Sequence, residues 1–156
     1  MPTEIRTAPH LLAIDPGLRA DRANLGWALF QKSKLVETSV VRSVKELPWC
    51  GITWSVIIEA PRWYPREHRI DTNDLLDLSC LVGEIKGRLE AQNADVQLTW
   101  PRTWKGTVPK DIHNKRVLAA LRKEELALLP KRPRAKDFDN NMIDAVGIGL
   151  WKLGRM

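Results

Sequence analysis

The sequence predicts an α/β domain with a central mixed five-stranded sheet flanked by helices. Three observations lead there. First, His10-Leu11-Leu12-Ala13-Ile14 and Trp54-Ser55-Val56-Ile57-Ile58 are apolar runs that each end in an acid and a nearby proline, Asp15-Pro16 and Glu59-Ala60-Pro61. Apolar runs of this length, bounded by turn formers, read as buried strands. Second, the stretches after Asp15 are joined by connections too short for anything but antiparallel neighbours. Third, a helix-length apolar pattern separates the Glu59 strand from the next one, and such a crossover makes those two strands parallel.

In chain order, residues 1–9 read as a loose arm and the first strand ends at Asp15. The segment from Leu18 to Asn24 reads as a charged loop whose Arg19 and Arg22 lie near the first acid. Gly26 to Gln31 and Leu35 to Val41 are strands turning at Lys32-Ser33-Lys34, and 42–52 is a short helix or irregular link. The loop from Pro61 to Ile70 interleaves Arg62, Arg66 and Arg69 with Trp63, Tyr64 and His68, a mixture suited to phosphates and base faces. Asp71-Thr72-Asn73 offers an N-cap to a helix over about 73–92. Its stripe of Leu75, Leu78, Val82, Ile85 and Leu89 packs on the sheet, and Leu76 and Leu81 add surplus that could meet a second copy. Asp95 to Trp100 is the fifth strand.

A basic tract follows. Lys110 to Leu129 reads as one helix with Ile112, Val117, Leu118, Leu121 and Leu126 inward, and 130–136 reads as a mobile cationic strap carrying Lys131, Arg132 and Arg134. The final helix places Ile143, Val146, Gly147, Leu150 and Trp151 on one face, with Asp144 at its edge, directed at the strands.

A chain of 156 residues with 44% hydrophobic content suits one domain, 1–156. No run is long enough to span a membrane, and no apolar leader precedes the first strand. Cys50 and Cys80 lack metal-ligand spacing and read as buried, reduced thiols of a cytoplasmic protein. A net charge of +6 favours a polyanionic partner, nucleic acid before membrane.

Two strands that each end in an acid, with a third acid on a late helix, form a set that repels itself unless cations neutralise it. Such a set suits one or two Mg²⁺ or Mn²⁺ ions, about 4 Å apart when paired, and phosphodiester hydrolysis. No serine-nucleophile elbow, HExxH zinc motif or Gly-rich phosphate loop competes.

Ile14-Asp15-Pro16-Gly17 with Gly26-Trp27, then Ile58-Glu59, then Asp144-Ala145-Val146-Gly147-Ile148, in that order, resemble the RuvC family of Holliday junction resolvases. The compact loops look more like its viral branch, which would act in the cytoplasm of a bacterial host. The resemblance implies a ribonuclease H-like fold, a homodimer, and Mg²⁺- or Mn²⁺-dependent cutting of four-way DNA junctions in recombination and repair. It implies metal carboxylates at Asp15, Glu59 and Asp144, catalytic lysines at Lys105 and Lys115, and an aromatic wedge at Trp63 or Tyr64. DNA contacts would fall on Arg62, Trp63, Tyr64, Arg66, Arg102, Lys105, Lys110, Lys131, Arg132 and Arg134. One departure stands out. Where the family has an Asp or His three residues before the final Asp, this chain has Asn141. Either Asp139 takes over as ligand, or the site is weak, or the chain is inactive. The competing readings are a broader branched-DNA or RNA-processing nuclease, and a module that binds junctions without cutting.

Overall fold

The computed structural model describes residues 10–20, 22–48, 54–64, 71–130 and 140–156. The arm at 1–9, Cys50, the loop residues Arg66, His68 and Arg69, the strap with Lys131, Arg132 and Arg134, and Asp139 all lie outside them. Five strands, β1 (His10–Arg19), β2 (Arg22–Gln31), β3 (Lys34–Val41), β4 (Trp54–Glu59) and β5 (Asp95–Thr99), form one sheet in the order β3-β2-β1-β4-β5. β1–β2 and β2–β3 are antiparallel, whereas β1–β4 and β4–β5 are parallel. The mixed sheet is therefore the expected one.

The β1–β2 ribbon is longer than the sequence suggests. β1 does not end at Asp15 but runs through Pro16 and Gly17 to Arg19, paired with β2 throughout. The expected charged loop 18–24 is instead hairpin, with Ala20 at positive φ in its turn. Pro16 is tolerated because β1 pairs with β4 only as far as Ile14. Beyond that point β1 has one neighbour, and a missing N–H on the open side breaks no ladder bond.

Alternation along the strands divides the core in two. Leu12, Ile14, Val56 and Ile58 pack on α1 (Thr72–Ala91) through Val82, Ile85 and Leu89. Leu11, Ala13 and Ile57 face the other layer, which holds α5 (Asn140–Lys152) with Ile143, Val146 and Leu150. α1 begins as expected, with the Asp71 side chain accepting from the Asn73 N–H at 2.8 Å. Leu75, Leu78 and Leu81 are only half-buried and Leu76 is 58% exposed, so the stripe does exceed what the sheet covers. Cys80 lies off that stripe and is exposed, not buried as expected.

The expected single helix over 110–129 is broken. α2 (Pro101–Trp104), α3 (Lys110–Ala120) and α4 (Lys123–Leu126) are separate, with Leu121 and Arg122 in extended conformation. The break lets Glu125 turn inward, fully buried. Its carboxylate accepts from Arg155 Nη1 and Nη2 at 2.8 and 2.7 Å, the Leu35 N–H at 2.8 Å and the Arg122 N–H at 2.8 Å. The inward faces also differ from the expected ones: on α3 Ile112 is exposed and His113 is buried, and Leu126 of α4 is exposed.

Candidate active site

Side-chain direction follows from the register. Leu11, Ala13 and Ile57 face α5, so Asp15 and Glu59, two residues further on, face it as well. The β1–β4 pairing ends at Ile14 opposite Ile58, and the next step along both strands sets Asp15 beside Glu59. Adjacent strands lie about 4.8 Å apart, so these acids begin as neighbours. Glu59 in turn pairs with Thr99 of β5, which is 3% exposed.

Asp144 comes down onto this row from α5. The helix reaches the sheet because β2 offers a glycine there: a Cβ on Gly26 would collide with the backbone of Asn141 and Met142. Gly26 is the residue paired with Asp15, so the first turn of α5 rests directly beside the β1 acid. Gly147 does the same one layer out, where a Cβ would lie 2.8 Å from the Trp104 ring. A Cβ on Gly149 would likewise collide with the Phe30 ring, so both glycines that weaken this helix are explained by close approach.

The three acids feel one another. Burial first, then repulsion from Glu59 and Asp144, holds the Asp15 carboxyl well above its ordinary range, against the pull of Lys105 and Lys110. Burial and the Asp144 charge also raise Glu59, opposed by Lys105 and by the Trp104 indole N–H that donates to Glu59 Oε2. Lys105 lies among them with its Nζ 3.3 Å from Asp144 Oδ2. Burial alone would lower its affinity for a proton, but Glu59, Asp144 and Asp15 together outweigh that and raise it. This ammonium is the neutralising charge within the acid set.

The donors suit a hard divalent cation. All three are carboxylates, the hard oxygen donors that such an ion prefers. Among the described residues no three His, Cys, Asp or Glu side chains are already closed around a common point, so an ion would have to draw them in.

Other expected residues fall variously. Arg62 and Trp63 are exposed, Trp63 by 62%, so that ring is not part of the core. Arg62 lies over Trp100 at 5.3 Å and Arg102 over Tyr64 at 4.0 Å, two cation–π pairs on one rim. They border an open cleft of about 720 Å³ that has Glu59 and Lys105 at its wall and Leu18, Leu75, Leu78 and Val108 as apolar lining. Lys115 is exposed on α3, and the second lysine whose charge reaches Asp15 is Lys110. Asn141 lies over the β1–β2 hairpin, its Nδ2 donating to the Asn24 carbonyl at 2.7 Å.

Two residues escaped the sequence reading. Trp104 anchors Glu59, and His113, 3% exposed, stacks edge-on against Trp104 at 4.8 Å with Nε2 3.8 Å from Asp144 Oδ1. The available signal was the i, i+4 spacing of His113, Val117 and Leu121, which puts the imidazole on the inward face.

A mixed five-stranded sheet with α1 on one face and α5 on the other, and acids at adjacent places on its two central strands, defines a ribonuclease H-like α/β fold. No family model and no curated protein matches the chain. Solved structures do. Thermus thermophilus RuvC in complex with a Holliday junction substrate is similar over 91% of this chain and 91% of that one, with a TM-score of 0.56 and 16% identity. A second Thermus thermophilus RuvC structure gives 0.54 over 94% and 97%, also at 16% identity. Fowlpox virus resolvase with Holliday junction DNA gives 0.51 over 92% and 97%, again at 16%.

Proposed function

We propose that the chain is a divalent-metal-dependent endonuclease that resolves four-way DNA junctions by paired phosphodiester hydrolysis. The observation that carries this reading is the convergence of Asp15 and Glu59 at adjacent strand positions with the first turn of α5 over them, where Lys105 Nζ lies 3.3 Å from Asp144 Oδ2. The junction-bound neighbours support the substrate class, and the Fowlpox virus resolvase supports a viral branch.

Asp15, Glu59 and Asp144 would hold Mg²⁺ or Mn²⁺, which supplies an activated water and charge stabilisation for the leaving 3′ oxygen. Around it, Trp104 fixes Glu59 through the indole N–H, and Lys105 offers positive charge to a phosphate entering the site. Arg62 and Arg102 extend that charge along the cleft, and Lys110 adds a charge that reaches Asp15. Two symmetric cuts need two sites related by a two-fold axis, and Leu76 and Leu81 of α1, which do not line the cleft, are the face we assign to a homodimer.

The test is cutting of junction, flap, duplex and RNA substrates with Mg²⁺ and with EDTA. Preferential, Mg²⁺-dependent cutting of the junction supports the proposal, whereas equal cutting of flaps or RNA supports the broader nuclease. A non-cutting junction binder is the second reading, favoured by the neutral Asn141 beside the site. It predicts tight junction binding with no cutting under any metal. Trp63→Ala adds a sharper measurement. Stacking is worth about 1–3 kcal/mol per base, so this variant should slow cutting of an intact junction by about 5- to 150-fold and hardly affect a pre-nicked one. Equal loss on both would remove Trp63 from junction opening.

A further inference from the structure

Asp144 has two oxygens with different surroundings. Oδ2 lies 3.3 Å from the Lys105 ammonium. Oδ1 is buried, and the atom facing it is His113 Nε2 at 3.8 Å, itself buried and equally without a hydrogen-bond partner among the described residues. Two complementary polar atoms left bare in the same wall cost more apart than joined. Less than 1 Å of approach is needed to reach hydrogen-bond distance, about 2.9 Å. The imidazole cannot leave, because its edge contact with Trp104 fixes the ring on one side. The backbone fixes it too, since the His113 N–H donates to the Pro109 carbonyl at 2.9 Å in the first turn of α3.

We infer that His113 is a positioning residue: its Nε2–H donates to Asp144 Oδ1 and fixes the carboxylate so that Oδ2 faces the acid row and the cation held there. The inference rests on the nuclease reading for its consequence, not for the hydrogen bond itself. It gives α3 a part that the three acids do not disclose. Trp104 donates to Glu59 and packs against His113, and His113 serves Asp144, so one aromatic pair orients an acid from β4 and an acid from α5. Carboxylates that bind metals are commonly held in this way by an outer partner, whose loss weakens metal binding about 10- to 100-fold.

The test begins on the wild-type chain with long-range ¹H–¹⁵N spectra, in EDTA and with Mg²⁺. The chain has only three histidines, and the His113→Gln spectrum identifies the one of interest. The expected result is a proton on Nε2 of His113 and a shift of that nitrogen when Mg²⁺ is added. A proton on Nδ1 alone would overturn the inference. Mn²⁺ affinity, read by electron paramagnetic resonance, should fall about 10- to 100-fold in His113→Ala. It should largely recover in His113→Gln, whose amide nitrogen can occupy the place of Nε2. Unchanged affinity in His113→Ala overturns the positioning role, as does a ¹⁴N coupling showing that the imidazole binds Mn²⁺ directly. A wild-type chain that binds no Mn²⁺ yet carries the Nε2 proton would overturn the metal reading of the site and leave the hydrogen bond standing.

Discussion

Asp15→Asn is expected to abolish Mg²⁺-dependent cutting, by at least about a thousandfold, while leaving junction binding within a few-fold of wild type. A thousandfold corresponds to about 4 kcal/mol of transition-state stabilisation, the share asked of one carboxylate that would hold the proposed cation. The same variant should be more stable than wild type when no metal is present. Burial and the charges of Glu59 and Asp144 hold the Asp15 proton affinity above normal, so the ionised acid works against the fold. The sign of the pH effect follows. The folded state binds this proton more tightly than the unfolded chain, so stability falls as pH rises from the ordinary value of 3.8 through the raised one. Asparagine removes that fall. Denaturant melts in EDTA across this range should show the variant gaining on wild type as pH increases. A variant that loses stability and binding together would make Asp15 a structural residue.

Glu125→Ala is expected to destabilise the fold by about 3–5 kcal/mol, the usual result of removing one partner from a buried ion pair. Arg155 would lose its carboxylate, and the Leu35 and Arg122 N–H groups would lose their acceptor. These four hydrogen bonds overcome the burial that opposes ionisation and bring the Glu125 carboxyl down to about 2 from 4.5. A lowered carboxyl contributes stability that is complete above 4.5 and is lost as pH falls towards 2. The contribution is on the order of 3 kcal/mol. Urea midpoints between neutral pH and pH 2 should therefore converge for wild type and Glu125→Gln. A constant gap at all pH values would assign the loss to packing instead.

The acids were legible because each breaks a strong local pattern. Asp15 and Glu59 end apolar strand runs, and Asp144 interrupts an otherwise apolar helix, so hydrophobic periodicity alone exposes them. The order of the strands was legible from connection lengths. The continuation of β1 past Asp15 was not, because Pro16-Gly17 has the composition of a turn and only the end of the β4 pairing makes it acceptable in a strand. Nor was the break at Leu121-Arg122, which contains neither glycine nor proline. It is imposed by Glu125 reaching Arg155, thirty residues away in sequence. Lys110 and His113 were obscured by tertiary geometry, although the inward face of His113 showed in its spacing to Val117 and Leu121. Their approach to the acids depends on how α2 and α3 turn across the end of the sheet, and that angle leaves no local trace. Lys115, chosen from the resemblance, follows them on the outward side of α3.

Asp15 and Glu59 occupy β1 and β4, two of the three strands that have partners at both flanks in the order β3-β2-β1-β4-β5, each one residue past the end of the β1–β4 pairing. Amide exchange with solvent is slowest in such central ladders, since they open only when the entire sheet opens. The two acids stand at the end of that ladder, so partial melting of the peripheral helices and loops leaves the strands that carry them paired. On warming, the chain should keep its acid pair until global unfolding, so that thermal inactivation follows a single cooperative step. Tolerance of the acid row to heat is thereby tied to the sheet as a whole and not to the loops around it.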